Sequence, residues 1–189
     1  NFCTPEELCR QWDRMSQGGL RWNDIQVTWE DDDVDFYVVI NSPRPGDHYV
    51  PGRTIVFQME PWCGEAYQTW GVKTWGEWAT PDPSRFLQVR THRTHLNNAF
   101  WQMKATWDEL RRQPVAKTRV LASICSPKYF DPGHVRRVDF LKFLERKDDD
   151  VVRVDVYAYD NPLGFRSWVG PHPPGEKDAA LLPYRYFFA

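Results

Sequence analysis

The sequence predicts an α/β chain in two parts, the second built on a parallel sheet. Three observations point there. The apolar, β-branched runs "DFYVVIN" at 35–41 and "TIVF" at 54–57 read as buried strands on either side of a turn-rich loop. Pro114 then breaks the chain. Beyond it a strand, a loop, an amphipathic helix and a strand follow in the order of a right-handed βαβ unit, which builds parallel sheets.

The elements are taken in chain order. Thr4-Pro5-Glu6-Glu7 supplies an N-cap, a proline at the first helical position and two acids in the first turn, which predicts a helix to about Met15 with Leu8 and Trp12 on one face. Gly18-Gly19 ends it. The strand at 35–41 leads into "SPRPGDHYVPG" and then the strand at 54–58. A third apolar segment, "FLQVRTH" at 86–92, follows a Trp-rich irregular stretch. "AFWQMKATWDELRR" at 99–112 has helical spacing, with Phe100, Met103, Trp107 and Leu110 on one side. After Pro114 come strands at 118–125 and 151–159 flanking the helix at 134–146. The Gly- and Pro-rich "NPLGFRSWVGPHPPGEKD" predicts a loop, and "AALLPYRYFFA" a last strand. The two domains are expected at 1–115 and 116–189.

Composition narrows the function. A chain of 189 residues, 41% hydrophobic, is near the upper size of one domain and could hold one domain and part of a second. Ten Trp, eight Tyr and eleven Phe supply large apolar faces with polar edges, which suit a core as well as a sugar-binding surface. A formal charge of -2 with both signs interspersed gives no basic field for a phosphate backbone, so nucleic acid is not an expected partner. Cys3, Cys9, Cys63 and Cys125 form no C-x-x-C pair, which excludes a zinc ribbon and leaves the redox compartment open. No apolar stretch approaches eighteen residues, and the start of the chain lacks a signal-peptide pattern. The expectation is a processed or excised piece. Asn41-Ser42-Pro43 fails the glycosylation pattern.

"IVFQMEPW" raises the main chemical question. Glu60 follows a core strand directly, beside Pro61 and Trp62. Two readings stay open: a solvated boundary glutamate, or a carboxylate held at a strand end to move a proton. Trp70, Trp75 and Trp78 fit core packing or stacking on sugar rings equally. His92 and His95 are three apart, with His134 and His172 distant, so the spacing supplies no third ligand and no metal is expected. "RKDDD" at 146–150 reads as a solvated helix end.

The βαβ unit resembles the start of a nucleotide-binding Rossmann half. "ASICSPKYFDPGHVRRVDFLKFLE", "VDVYAYD" and "KDAALLPYRYFFA", with "IVFQMEPW" and "VRTHRTHLNNAFWQM" upstream, resemble the glycosyltransferase family 10 fucosyltransferases over roughly residues 10–189. The resemblance implies a GT-B fold of two Rossmann-like α/β domains, the second incomplete at Ala189. It implies fucosyl transfer from GDP-fucose to a glycan hydroxyl with inversion, and Glu60 as general base, with Glu65 its solvated rival. It implies Arg137 on the diphosphate, with Lys128 and Arg136 weaker candidates. Ser123 and Tyr157 would line the donor site, and Trp62, His92 and His95 the acceptor side. No cofactor beyond the donor substrate is implied, and a divalent metal is not indicated. Family members are anchored in the Golgi with the catalytic part in the lumen, or are soluble in the cytoplasm. Two departures stand out: Ala158 replaces a glycine, and Ile124 an asparagine. The family's acidic-Asn-Asn segment and Glu-Lys pair are expected beyond Ala189. A glycan-binding or structural subunit without donor binding is the alternative expectation.

Overall fold

The computed structural model describes residues 3–59, 75–91, 101, 103–112, 114–130, 132–147, 152–172 and 177–188. Two compact units, Asn1–Trp101 and Gln102–Ala189, make up the chain. Both are α/β with parallel sheets. Among the described residues no helix is long and apolar enough to cross a membrane.

The first unit opens with helix α1, Pro5–Asp13. Its N-terminus is closed by a capping box: the Glu7 backbone N–H donates to Thr4 Oγ1, and the Thr4 N–H donates to Glu7 Oε2. Those bonds hold the Glu7 carboxyl below its ordinary range. Strands β1 (Arg21–Trp22) and β2 (Ile25–Gln26) form a hairpin too short to show as periodicity. It turns through Asn23 at φ 55°, a conformation asparagine tolerates better than most residues.

Strands β3 (Tyr37–Ile40), β4 (Thr54–Gln58) and β5 (Gln88–Thr91) then pair in parallel in that order. Alternation places Val39 and Val56 on one face, where Phe86, Tyr49, Trp78 and Val89 complete the core. Trp75 is buried and Trp78 packs on this core, so the core reading holds for both. Trp70 lies outside the described residues.

The second unit begins with a correction. Of the helix expected over 99–112, the described helical part is α2, Trp107–Arg112, and residues 99, 100 and 102 lie outside the described residues. Thr106 and Glu109 form a second capping box, with the Glu109 N–H on Thr106 Oγ1 and the Thr106 N–H on Glu109 Oε2. Upstream, the Lys104 and Ala105 N–H groups donate to the Asp178 carboxylate, which takes them out of any helical ladder. Trp107 is half exposed rather than core. Apolar spacing ran through a start signal that capping chemistry imposes.

Strands β6 (Arg119–Ile124) and β7 (Val154–Tyr157) flank the sixteen-residue helix α3, Pro132–Lys147. The expected loop after β7 contains a further parallel strand, β8 (Trp168–Gly170). The expected last strand is preceded by a short helix, α4 (Asp178–Leu181), before β9 (Tyr184–Phe188). The sheet order is β8-β7-β6-β9, all parallel. On one face Cys125, Val154, Val156 and Phe165 pack against Val138 and Leu141 of α3. On the other, Ala122, Tyr157 and Tyr184 pack against Ala180 of α4.

The C-terminal part of α3 is tied to the start of β8. Glu145 Oε1 accepts from the Ser167 N–H at 2.8 Å and from Ser167 Oγ at 2.6 Å, and Lys142 Nζ stands 3.4 Å from Oε2. Arg166 donates to the Glu145 carbonyl. Burial pushes the Glu145 pKa up, but the Ser167 bonds and Lys142 outweigh it and hold the carboxyl below its ordinary range. A depressed carboxylate favours the folded state above its unfolded pKa, and that contribution is lost as pH falls through the folded value. Between about pH 5 and about pH 3 the wild type should lose stability more steeply than Glu145→Gln, read from urea midpoints. Parallel pH curves for the two would show that this carboxylate is not linked to folding.

Candidate functional site

In an open parallel sheet, ligands bind outside the carboxyl ends of the strands where the chain switches direction across the sheet. The second unit has such a point. From β6 the chain builds outward through β7 and β8, then crosses back to lay β9 on the other side of β6. The carboxyl end of β6 is therefore the switch point, and the sequence there is Ser123-Ile124-Cys125-Ser126.

Ser123 is fully buried in the second-last position of β6. Alternation with Leu121 and Cys125 turns it toward α3. Its Oγ has no hydrogen-bond partner, and neither does the buried Oγ of Ser126. Arg137 is on α3 one turn before Leu141 and two before Leu144, on the stripe that faces the sheet. Its Nε is buried without a partner as well. The side chain stands close enough to act on Cys125. Burial pushes the Cys125 thiol pKa up, and the Arg137 charge draws it partly back.

Among the described residues of the second unit, these three buried side-chain polar atoms have no hydrogen-bond partner. Burying a polar group without a partner costs roughly 1–3 kcal/mol. The Ser123 hydroxyl and the Arg137 guanidinium on the α3 face of the strand end, with the Ser126 hydroxyl just beyond it, are donors that an anion with several oxygens could satisfy.

The surrounding wall is well fixed. Asn161 brackets Phe165, accepting its N–H at 2.7 Å and donating to its carbonyl at 2.9 Å. Cys125, Ser126, Ala158, Asp160 and Phe165 line a shallow surface dimple across the β6 and β7 ends. Ala158 is not among the left-handed positions, so its backbone does not call for a glycine.

Tyr157 stands elsewhere. Its ring lies on the α4 face, and its hydroxyl is 3.0 Å from Tyr184 Oη and donates to the Ala179 carbonyl at 3.1 Å. Tyr184 in turn donates to Asp155 Oδ2 at 2.7 Å, and Arg119 donates to both Tyr184 and Asp155. Burial, then the bonds to Tyr157 and Asp155, push the Tyr184 phenol far above its ordinary range. The structure thus brings Ser123 and Arg137 to one face and holds Tyr157 in a closed network on the other. Ser126 was not foreseen, because a serine before a proline reads as loop chemistry.

Glu60, Trp62, His92 and His95 lie outside the described residues. The described approach to Glu60 is β4, ending at Gln58, and then Met59. Among the described residues no three His, Cys, Asp or Glu side chains are grouped to hold a metal ion. No family model matches the chain, and neither does a curated protein or a solved structure.

Proposed function

We propose that this chain is an inverting glycosyltransferase of GT-B type, moving fucose from GDP-fucose to a glycan hydroxyl. The observation that carries the reading is the corner of unpartnered donors, Ser123, Ser126 and Arg137, at the switch point of a parallel sheet. It is the place and the chemistry expected of a diphosphate site. The motif resemblance around "ASICSP" and "HVRRVDFLKFL" supplies the nucleotide sugar.

The reaction has a proton-transfer half and a leaving-group half. The acceptor O–H attacks the anomeric carbon of fucose from the face opposite the diphosphate, and its proton passes to the Glu60 carboxylate. As the new C–O bond forms, the bond to the β-phosphate breaks and GDP leaves with the electron pair. Inversion follows from that single displacement. Negative charge grows on the leaving phosphate in the transition state, and Arg137 is the group that meets it.

Calorimetric titration with GDP tests the donor half. A charge-assisted hydrogen bond is worth roughly 1.5–3 kcal/mol, so Arg137→Ala should weaken GDP by about ten- to a hundredfold and leave acceptor glycan binding unchanged. Equal losses for both ligands would place Arg137 outside the donor site. No GDP binding by the wild type would overturn the transferase reading in favour of a glycan-binding subunit.

A further inference from the structure

The second sheet has the strand order β8-β7-β6-β9, which is 3-2-1-4 when counted from its first strand in the chain. That is the order of a doubly wound nucleotide-binding half, in which an acid past the strand beside the phosphate turn takes the ribose hydroxyls. The strand in that position here is β7. It ends at Tyr157, and Asp160 follows in the loop beyond it.

Asp160 lies on the side of the sheet that carries the donor corner. It lines the same dimple as Cys125 and Ser126, and two walls of that dimple, Leu163 and Phe165, pack into the core under α3. Ser126 belongs to both places, so the dimple carries the corner on from the end of β6 to the end of β7. The backbone on either side of Asp160 is pinned. The Ala158 N–H donates to the Gly170 carbonyl at 3.2 Å, and Trp168 Nε1 donates to the Ala158 carbonyl at 3.0 Å. Asn161, next in the chain, uses both ends of its amide on Phe165. Asp160 itself is exposed, and its carboxylate has no hydrogen bond or ion pair among the described residues.

The chemistry of the two places is opposite. Ser123, Ser126 and Arg137 are donors suited to phosphate oxygens, whereas a carboxylate only accepts and would repel a diphosphate laid against it. Asp160 therefore suits a part of the nucleotide that carries donors and no charge. Along a nucleotide the group next to the phosphates is the ribose, and its neighbouring 2′- and 3′-hydroxyls match the two oxygens of one carboxylate.

We propose that Asp160 reads the ribose of the donor, holding the 2′- and 3′-hydroxyls of a nucleoside diphosphate and favouring ribonucleotides over deoxyribonucleotides. The inference rests on the reading of Ser123, Ser126 and Arg137 as a diphosphate site, and it does not depend on which base follows.

Calorimetric titration of the whole chain with GDP and 2′-deoxy-GDP tests it, with ADP, UDP and their 2′-deoxy forms run alongside. A hydroxyl donating to a carboxylate is a charge-assisted bond, so the wild type should bind GDP about tenfold more tightly than 2′-deoxy-GDP. Asp160→Ala should weaken GDP by about ten- to a hundredfold and bring the two forms within about twofold of each other. The side chain is exposed and unpartnered, so its removal leaves the fold intact. Equal affinities for GDP and 2′-deoxy-GDP in the wild type overturn the inference and leave the GDP site standing. A loss in Asp160→Ala that falls equally on both forms does the same. A preference for ADP or UDP with the same discrimination at the 2′-hydroxyl supports Asp160 and overturns GDP as the nucleotide. Absence of binding by every nucleotide overturns both the diphosphate corner and the role of Asp160.

Discussion

Glu60→Gln should reduce acceptor-dependent GDP release by about a hundredfold to ten-thousandfold, the usual worth of a positioned general base. The substitution is close to isosteric, so thermal stability and GDP affinity should stay where they are. Loss confined to kcat would place Glu60 in the transition state rather than in substrate binding. The residual rate should also lose the acid limb of its pH profile, because glutamine has no proton to exchange in that range. The measurement is GDP release from GDP-fucose with a panel of galactose-, glucose- and N-acetylglucosamine-terminated acceptors, wild type beside variant. Normal turnover in Glu60→Gln would remove this residue from the base role and return it to a boundary glutamate.

Leu141→Ala should be among the most damaging single substitutions for folding. Leu141 is fully buried and lies between the sheet and the body of α3, among Cys125, Val138, Val154, Val156 and Phe165. Truncating such a leucine costs about 2–5 kcal/mol, from lost transfer energy plus the cavity left behind. A domain has roughly 5–15 kcal/mol in total, so a large share of the second unit's stability would go. Urea unfolding should show a lower midpoint with an unchanged slope. Arg137 is one turn from Leu141 on the same stripe, so GDP affinity should fall as well at concentrations of urea that leave the wild type intact. A midpoint shift worth less than about 1 kcal/mol would mean that the site collapses onto the gap.

The strands that hold the two sheets together were legible because their signal is local. The largely apolar runs at 35–41 and 118–125 are trimmed by a residue or two at their ends to Tyr37–Ile40 and Arg119–Ile124, and the one at 54–58 is kept as Thr54–Gln58. β8 escaped notice for the opposite reason. It is three residues long, lies on the sheet edge beside an irregularity at Val156 and Tyr157, and ends on Gly170 at φ 109°. Its place in the sheet comes from pairing with β7, which no local pattern announces. The start of α2 was legible in principle, since Thr106 and Glu109 stand at capping-box spacing, but the longer apolar period concealed it.

The candidate site divides in the same way. Ser123 and Arg137 could be singled out by motif. Ser126 and Asp160 could not, because what distinguishes them is a relation to other residues: a hydroxyl with no partner in one case, a carboxylate sharing that hydroxyl's dimple in the other. Tyr157 shows the converse. Its motif suggested a ligand contact, and the fold gives its hydroxyl a protein partner on the far side of the sheet.

The order in which β6 acquires its neighbours bears on how the second unit comes into being. β6 occupies the middle of its sheet, yet one of its two neighbours is β9, some sixty residues away in sequence, with Arg119 opposite Tyr184. Asp178 lies 74 residues from Lys104, whose N–H it accepts. During synthesis, then, β6, α3 and β7 emerge with one edge of the central strand still open, and pairing can finish only once the segment through Phe188 is out. Contacts of such separation slow folding and prolong the exposure of an unpaired apolar edge. The parallel sheet of the first unit, whose three strands pair in sequence order, meets no such delay.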